Sequence, residues 1–341
     1  MNILKTLFAI ILLLVGGNVM AEELLTQKEQ NIVMISAYTA SGDLEKLEQA
    51  TKKSLEDGLT INEVKEVMVQ LYAYCGFPKS INAVSTLMKV SKSGKYKEGK
   101  AGTPLKKDAD KNAIGEKTQT ELCGAPVKGE LFEFAPAIDD YLKEHLFGDI
   151  FARGVLTHKE REIATVAALA SIGNVEPQLN AHIQIAKNTG LTQEQSDEII
   201  KLVKNSQYKP SFGLGDKNDG FAKYFIGQSY LKPLVKEQVP TYNVTFEPKC
   251  RNNWHIHHAG HDGKGGQILL VTDGRGYYQE WGKPAIELKK GDVVNIPAGT
   301  KHWHGAAKDS WFSHIAIEVP SDGGYNEWLE AVEDSEYDKL K

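Results

Sequence analysis

Four imidazoles in two short clusters constrain this chain more than any other feature. His255 and His257 lie in Trp254-His255-Ile256-His257, and His302 and His304 close the run Pro297-Ala298-Gly299-Thr300-Lys301-His302-Trp303-His304. Side chains alternate along a strand, so His255 and His257 point to one side and can share an ion, with a third imidazole arriving from afar. Between the clusters lie the alternating runs 267–272 and 292–296, broken at Asp273-Gly274 and Lys290-Gly291, where hairpins are expected. The pattern predicts a small β-barrel with ligands on its inner face.

The 341 residues leave room for two or three domains, and a net charge of -5 argues against a nucleic-acid partner. Residues 1–21 read as a signal peptide: Lys5, an apolar run from Leu7 to Val15, then small residues ending at Ala21. The mature protein is therefore expected to be periplasmic or secreted, with no membrane attachment after cleavage. Three widely spaced cysteines, Cys75, Cys123 and Cys250, do not make a disulfide framework, although one pair stays open. Cys75 reads as a buried, inert thiol.

A helical repeat occupies the front of the chain. Leu25-Thr26-Gln27-Lys28-Glu29 matches Leu156-Thr157-His158-Lys159-Glu160, and Gly58-Leu59-Thr60 matches Gly190-Leu191-Thr192. Each copy predicts a Thr-capped amphipathic helix, a break near Gly42 or Gly173, a second helix, and a Gly-Leu-Thr junction into a third. The expected division is 22–90 for the first copy, 91–127 for an exposed connection, 128–205 for the second copy, 206–234 for another connection, and 235–341 for the barrel.

On Tyr72-Ala73-Tyr74-Cys75-Gly76-Phe77-Pro78 with Asn82-Ala83, and on Arg161-Glu162 with Ala181-His182, residues 24–205 resemble the carboxymuconolactone decarboxylase family, which includes the alkylhydroperoxidase D proteins. In redox-active members a helix Glu precedes a CxxC pair and a His. Here Val175 and Gln178 fall near the cysteine positions, so thiolate peroxidase chemistry is not expected. The resemblance leaves Glu162 and His182 as an acid/base pair. Asn31 and Ala50 stand at those places in the first copy, which reads as scaffold. Tyr72 and Tyr74 read as core or interface aromatics.

From Val244 to Val319 the chain resembles the cupin superfamily, and within it the small bacterial cupins with manganese-dependent hydroxynitrile lyase activity. Six residues separate Gln267 from Gly274, and Gly291 to His302 fits Gly-x5-Pro-x-Gly-x-x-His. The resemblance implies His255, His257, Gln267 and His302 as ligands of a divalent ion, with manganese favoured and iron, zinc or nickel admissible. The spacer after His257 is long, so His261 competes with Gln267; strand register favours Gln267. Lys249 stands where the family places a turn glycine. His304 and His314 match histidines that act around the substrate as acid/base groups, and Trp254, Trp303 and Trp311 are expected to wall the pocket.

These readings combine into a multidomain α + β protein, an all-α decarboxylase-like helical repeat followed by a C-terminal cupin jelly roll. The expected function is that of an exported, metal-dependent lyase on a small hydroxy-, oxo- or lactone substrate, working as a homo-oligomer. A peroxiredoxin-like or dioxygenase redox protein is the first alternative, and a periplasmic small-ligand binding module the second.

Overall fold

The computed structural model describes residues 24–340, so the segment read as a signal peptide lies outside the described residues. Among those described, no helix is long and apolar enough to cross a membrane. The chain forms two compact units, one built from residues up to Val166 with Pro177–Ile199, the other from Ala167–Glu176 with Ile200 onward.

Helices α1 (Gln27–Ser41), α2 (Leu44–Glu56), α3 (Ile61–Gln70) and α4 (Tyr72–Lys92) form the first copy. The repeat is written in its caps. Thr26 and Glu29 close a reciprocal capping box on α1, as Thr60 and Glu63 do on α3. Thr157 with Glu160 and Thr192 with Gln195 repeat the pattern before α8 (His158–Ile172) and α10 (Gln193–Ser206), with α9 (Glu176–Asn188) between them. Gly42 and Gly173 both take left-handed backbone, φ 80° and 67°, where α1 and α8 stop. The copies also exchange charges reciprocally: Lys28 pairs with Glu160 at 2.6 Å, and its counterpart Lys159 pairs with Glu29 at 2.7 Å. Such reciprocity is what a local two-fold relation between the copies requires.

The segment expected as an exposed connection over 91–127 contains a helix, α5 (Lys111–Cys123). Its buried stripe is only Gly115, Gln119 and Leu122, too narrow to register as apolar periodicity. The caps carried the signal instead: Asp110 accepts from the Ala113 N–H, and Gly124 ends the helix at φ 77°. Short helices α6 (Glu130–Phe134) and α7 (Pro136–Asp140) lead into a π-helical segment, Tyr141–Ile150, whose Leu146, Phe147 and Ile150 pack with Leu122.

The second unit is an antiparallel barrel, and its strands begin earlier than expected. Within 206–234 lie β1 (Asp216–Lys217), β2 (Phe225–Ile226) and most of β3 (Ser229–Val235). Pro233 within β3 sits where the pairing with β4 (Thr241–Phe246) shifts register, which spares a ladder the missing N–H. Then follow β5 (Arg251–Asn252), β6 (His255–His257), β7 (Gly266–Glu280), β8 (Ile286–Lys289), β9 (Val293–Pro297), β10 (His302–Ala306), β11 (Phe312–Glu318) and β12 (Asn326–Trp328).

β7 joins the two faces of the roll. Its first half pairs with β9 and β11, its second with β8 and β10. Asp273-Gly274, expected as a hairpin end, is instead the bend inside β7; a Cβ on Gly274 would stand 1.9 Å from the Trp311 carbonyl oxygen. Lys249 adopts φ 72°, the conformation a glycine takes at a turn.

Phe246, Leu269, Phe312 and Ile296 fill the barrel. Phe246 is fully buried, with ring contacts to Phe225, Phe312, His304 and His314. Phe246→Ala should cost about 3–5 kcal/mol, measured as a shift in the urea midpoint followed by tryptophan fluorescence.

Candidate metal centre

Register brings the histidines together. His302 on β10 lies directly opposite His255 on β6, and His257 is two residues further along the same face. The ligand atoms of His255, His257 and His302 lie within 4.8 Å of one another, and all three residues are buried.

Each ring is held by its other nitrogen. His255 Nδ1 lies 3.0 Å from the Asn253 carbonyl oxygen, His302 Nδ1 2.9 Å from that of Thr300, and His257 Nδ1 2.9 Å from Glu318 Oε2. The carbonyl partners of His255 and His302 accept, so both of those Nδ1 atoms carry the proton and their Nε2 atoms keep a lone pair for the common point; the Glu318 carboxylate beside His257 Nδ1 is a close contact without hydrogen-bond alignment, and its charge favours a proton on that side. Gln267 joins them from β7. Its amide nitrogen donates to Glu318 Oε1 at 2.8 Å, leaving Oε1 free.

Both ring nitrogens of His257, His302 Nε2 and Gln267 Oε1 are buried without a hydrogen-bond partner. Orphaned buried acceptors are costly, and a divalent cation would satisfy all of them at once. Three imidazoles and an amide oxygen therefore fit a divalent ion. Burial, reinforced by the neighbouring rings, holds His255 well below the usual imidazole range; burial likewise lowers His302 to about 4. His255 and His302 are therefore neutral near pH 7, as ligation requires.

His261, the competing candidate, is exposed in the loop before β7 and does not join the cluster.

His304 and His314 occupy different places. His304 lines a cavity of about 240 Å³ together with His255, His257 and Gln267. His314 is fully buried, with Nε2 3.1 Å from His304 Nδ1, so it supports His304 rather than walling the cavity. Asn252 fixes the direction of this chain of contacts. Its Oδ1 accepts from the His304 backbone N–H at 2.9 Å, which turns its amide nitrogen toward His304 Nε2 at 3.1 Å. The same amide nitrogen lies 3.4 Å from His304 Nδ1; the shorter contact favours Nε2 as the acceptor, with the His304 proton on Nδ1 facing His314. Burial, and next the neighbouring His314, depress the His304 pKa strongly; burial lowers His314 to about 3.

The tryptophan expectation fails. Trp254 and Trp303 alternate with the inward histidines, so they pack outside the cavity with Tyr277 and Tyr337, and Trp311 stacks on Tyr208 at 4.8 Å. The cavity tryptophan is Trp328 on β12, paired with His255 and stacked on its ring at 4.7 Å. Phe221, Phe225, Leu231 and Val244 complete an apolar wall. Asn252, Glu318 and Trp328 were missed from sequence. Only Glu318 left a local trace, since it shares the parity of His314 along β11.

In the helical unit, His182 Nδ1 lies 2.8 Å from Glu162 Oε2, and Glu162 is completely buried. The Tyr74 ring meets His182 edge-on at 5.5 Å; burial, and next the Glu162 charge, push its hydroxyl upward. All three cysteines are free. Burial raises the thiols of Cys75 and Cys123, which disfavours the thiolate.

Inward imidazoles on facing strands of a rolled antiparallel sheet define a cupin with a candidate metal centre. Residues 242–317 match the Cupin domain model, residues 8–87 and 136–204 match the Carboxymuconolactone decarboxylase family, and the chain belongs to the cupin family through its C-terminal part. It is 39% identical over 122 residues to the (R)-mandelonitrile lyase of Granulicella tundricola, an alignment covering 35% of this chain and 88% of that enzyme. An uncharacterized protein of Methanocaldococcus jannaschii is 34% identical over 67 residues, 20% of this chain and 63% of its own length. Among solved structures, a cupin-like protein of Thermotoga maritima is similar at 42% identity and a TM-score of 0.33, covering 39% of this chain and 95% of that one.

Proposed function

We propose that the protein is a metal-dependent lyase that cleaves a carbon–carbon bond in a small hydroxy- or oxo-compound, in the manner of a hydroxynitrile lyase, with manganese as the ion. The observation that carries this reading is the set of unpartnered acceptors of His257, His302 and Gln267, clustered at the floor of the apolar cavity that His257, Gln267 and His304 line. His255, His257, Gln267 and His302 would hold the ion. Bound there, a divalent ion supplies Lewis-acid polarisation of a substrate oxygen.

The chain's own groups account for the rest. His304, kept neutral by burial, accepts the proton of a substrate hydroxyl at Nε2, where the substrate displaces the Asn252 amide contact. His314 and Asn252 fix the tautomer that leaves this nitrogen basic. The apolar wall from Phe221, Phe225, Leu231, Val244 and Trp328 selects a substrate with an apolar body and excludes water. We further propose Glu162 and His182 as an acid/base pair of the helical unit, and an exported homo-oligomer as the working form.

The manganese-loaded protein should cleave neutral cyanohydrins such as (R)-mandelonitrile. His304→Ala should lower kcat by roughly a hundredfold or more with bound metal unchanged, as removal of a general base does. A binding module would instead show no turnover in the parent protein and an unaltered ligand affinity in the variant, and that pair of results would sink the proposal.

A further inference from the structure

Gln267 on β7 and Glu318 on β11 are direct cross-strand partners, so their side chains share one face. Glu318 accepts from Gln267 Nε2 at 2.8 Å through Oε1 and faces His257 Nδ1 at 2.9 Å through Oε2. An amide has a donor end and an acceptor end, and an imidazole has two tautomers; a carboxylate, by contrast, only accepts. Facing Glu318, Gln267 presents its NH2 group in a hydrogen bond, and His257 Nδ1, close to the carboxylate but not aligned as a hydrogen bond, meets it without lone-pair repulsion only when protonated. Both acceptor ends are thereby turned to the point shared with His255 and His302.

We propose that Glu318 is the positioning residue that sets the donor polarity of the metal centre. It holds Gln267 Oε1 and His257 Nε2 toward the ion without touching it. Among the described residues lining the cavity, Glu318 is also the one carboxylate, so it supplies the negative charge that three imidazoles and an amide lack. The inference rests on reading the cluster as a metal centre.

Glu318→Gln keeps the shape and breaks the logic. Its new NH2 group must face a donor, either Gln267 or His257, and the cheapest escape is to flip Gln267 so that its NH2 group points at the cation. The exchange Gln267→Glu with Glu318→Gln restores consistency: the new carboxylate at 267 offers one oxygen to the ion and accepts from the new amide with the other, while that amide's oxygen faces His257 Nδ1.

Manganese affinity of the whole protein, measured by competition with a chelating dye, tests this. Glu318→Gln should bind about 10–100-fold more weakly, the usual effect of losing a partner that orients a ligand. The exchange should recover most of that loss. Unchanged affinity in Glu318→Gln overturns the proposal, as does an exchange no better than the single variant. Should the single variant fail to fold, the exchange decides alone: affinity within about tenfold of the parent supports the role and a larger loss overturns it. No binding by the parent protein refutes the metal centre itself, a result distinct from these.

Discussion

Replacing His255 and His302 together with alanine should take bound divalent metal from about one ion per chain, the occupancy of a single four-donor site, to none detectable by elemental analysis. Two of the four donors vanish, and His257 and Gln267 alone cannot chelate. The consequence for stability separates this site from an ordinary buried cluster. In the metal-free protein the buried acceptors of His302 and His257 have no partner, so they oppose folding. Metal that binds only the folded state reverses this, adding about 4 kcal/mol when free ion exceeds Kd a thousandfold. The parent protein should therefore melt markedly higher with manganese than with chelator. The double variant should melt at one temperature in both, close to that of the metal-free parent. Equal melting shifts in parent and variant would place any bound ion elsewhere. The ion retained on purification bears on chemistry too, since manganese or zinc favours the lyase reading and iron favours oxygen chemistry.

What the sequence revealed depended on whether the signal was local. Period two along a strand placed His255, His257, His302 and His304 on inner faces before any fold was known, and four capping pairs together with left-handed glycines marked the helical repeat. The same period places Trp254 and Trp303 outside, opposite in parity to the histidines beside them. Glu318, Asn252 and Trp328 required cross-strand register, which pairs Glu318 with Gln267 and Trp328 with His255 across long stretches of chain. No local pattern contains that pairing. Helix α5 was hidden by too little apolar surface, and β3 carries a proline at a register shift and depends on its partner β4 for its place.

The neutral histidines of the barrel should make the metal-free protein lose stability steeply as pH falls from about 6.5, the ordinary imidazole value. In the folded barrel burial lowers His302 to about 4 and His314 to about 3, and holds His255 and His304 well below the ordinary value. The unfolded chain thus binds more protons than the folded one below pH 6.5. Stability is complete above that pH and drains as pH falls toward the folded values. Each such histidine contributes a slope of up to about 1.4 kcal/mol per pH unit. Carboxylates held below their ordinary range, such as Glu29 and Glu63, act in the same direction but only below about pH 4.5. The window from 6.5 to 4.5 therefore isolates the imidazoles. The readout isolates the barrel as well, because all five tryptophans lie between residues 254 and 328. Urea unfolding followed by tryptophan fluorescence, in chelator, should show several kcal/mol lost between pH 7 and pH 5, and His314→Phe should remove about one histidine's share of the slope. A flat profile over this range would mean that the rings ionise freely in the folded barrel, and the neutral base assigned to His304 would fall with it.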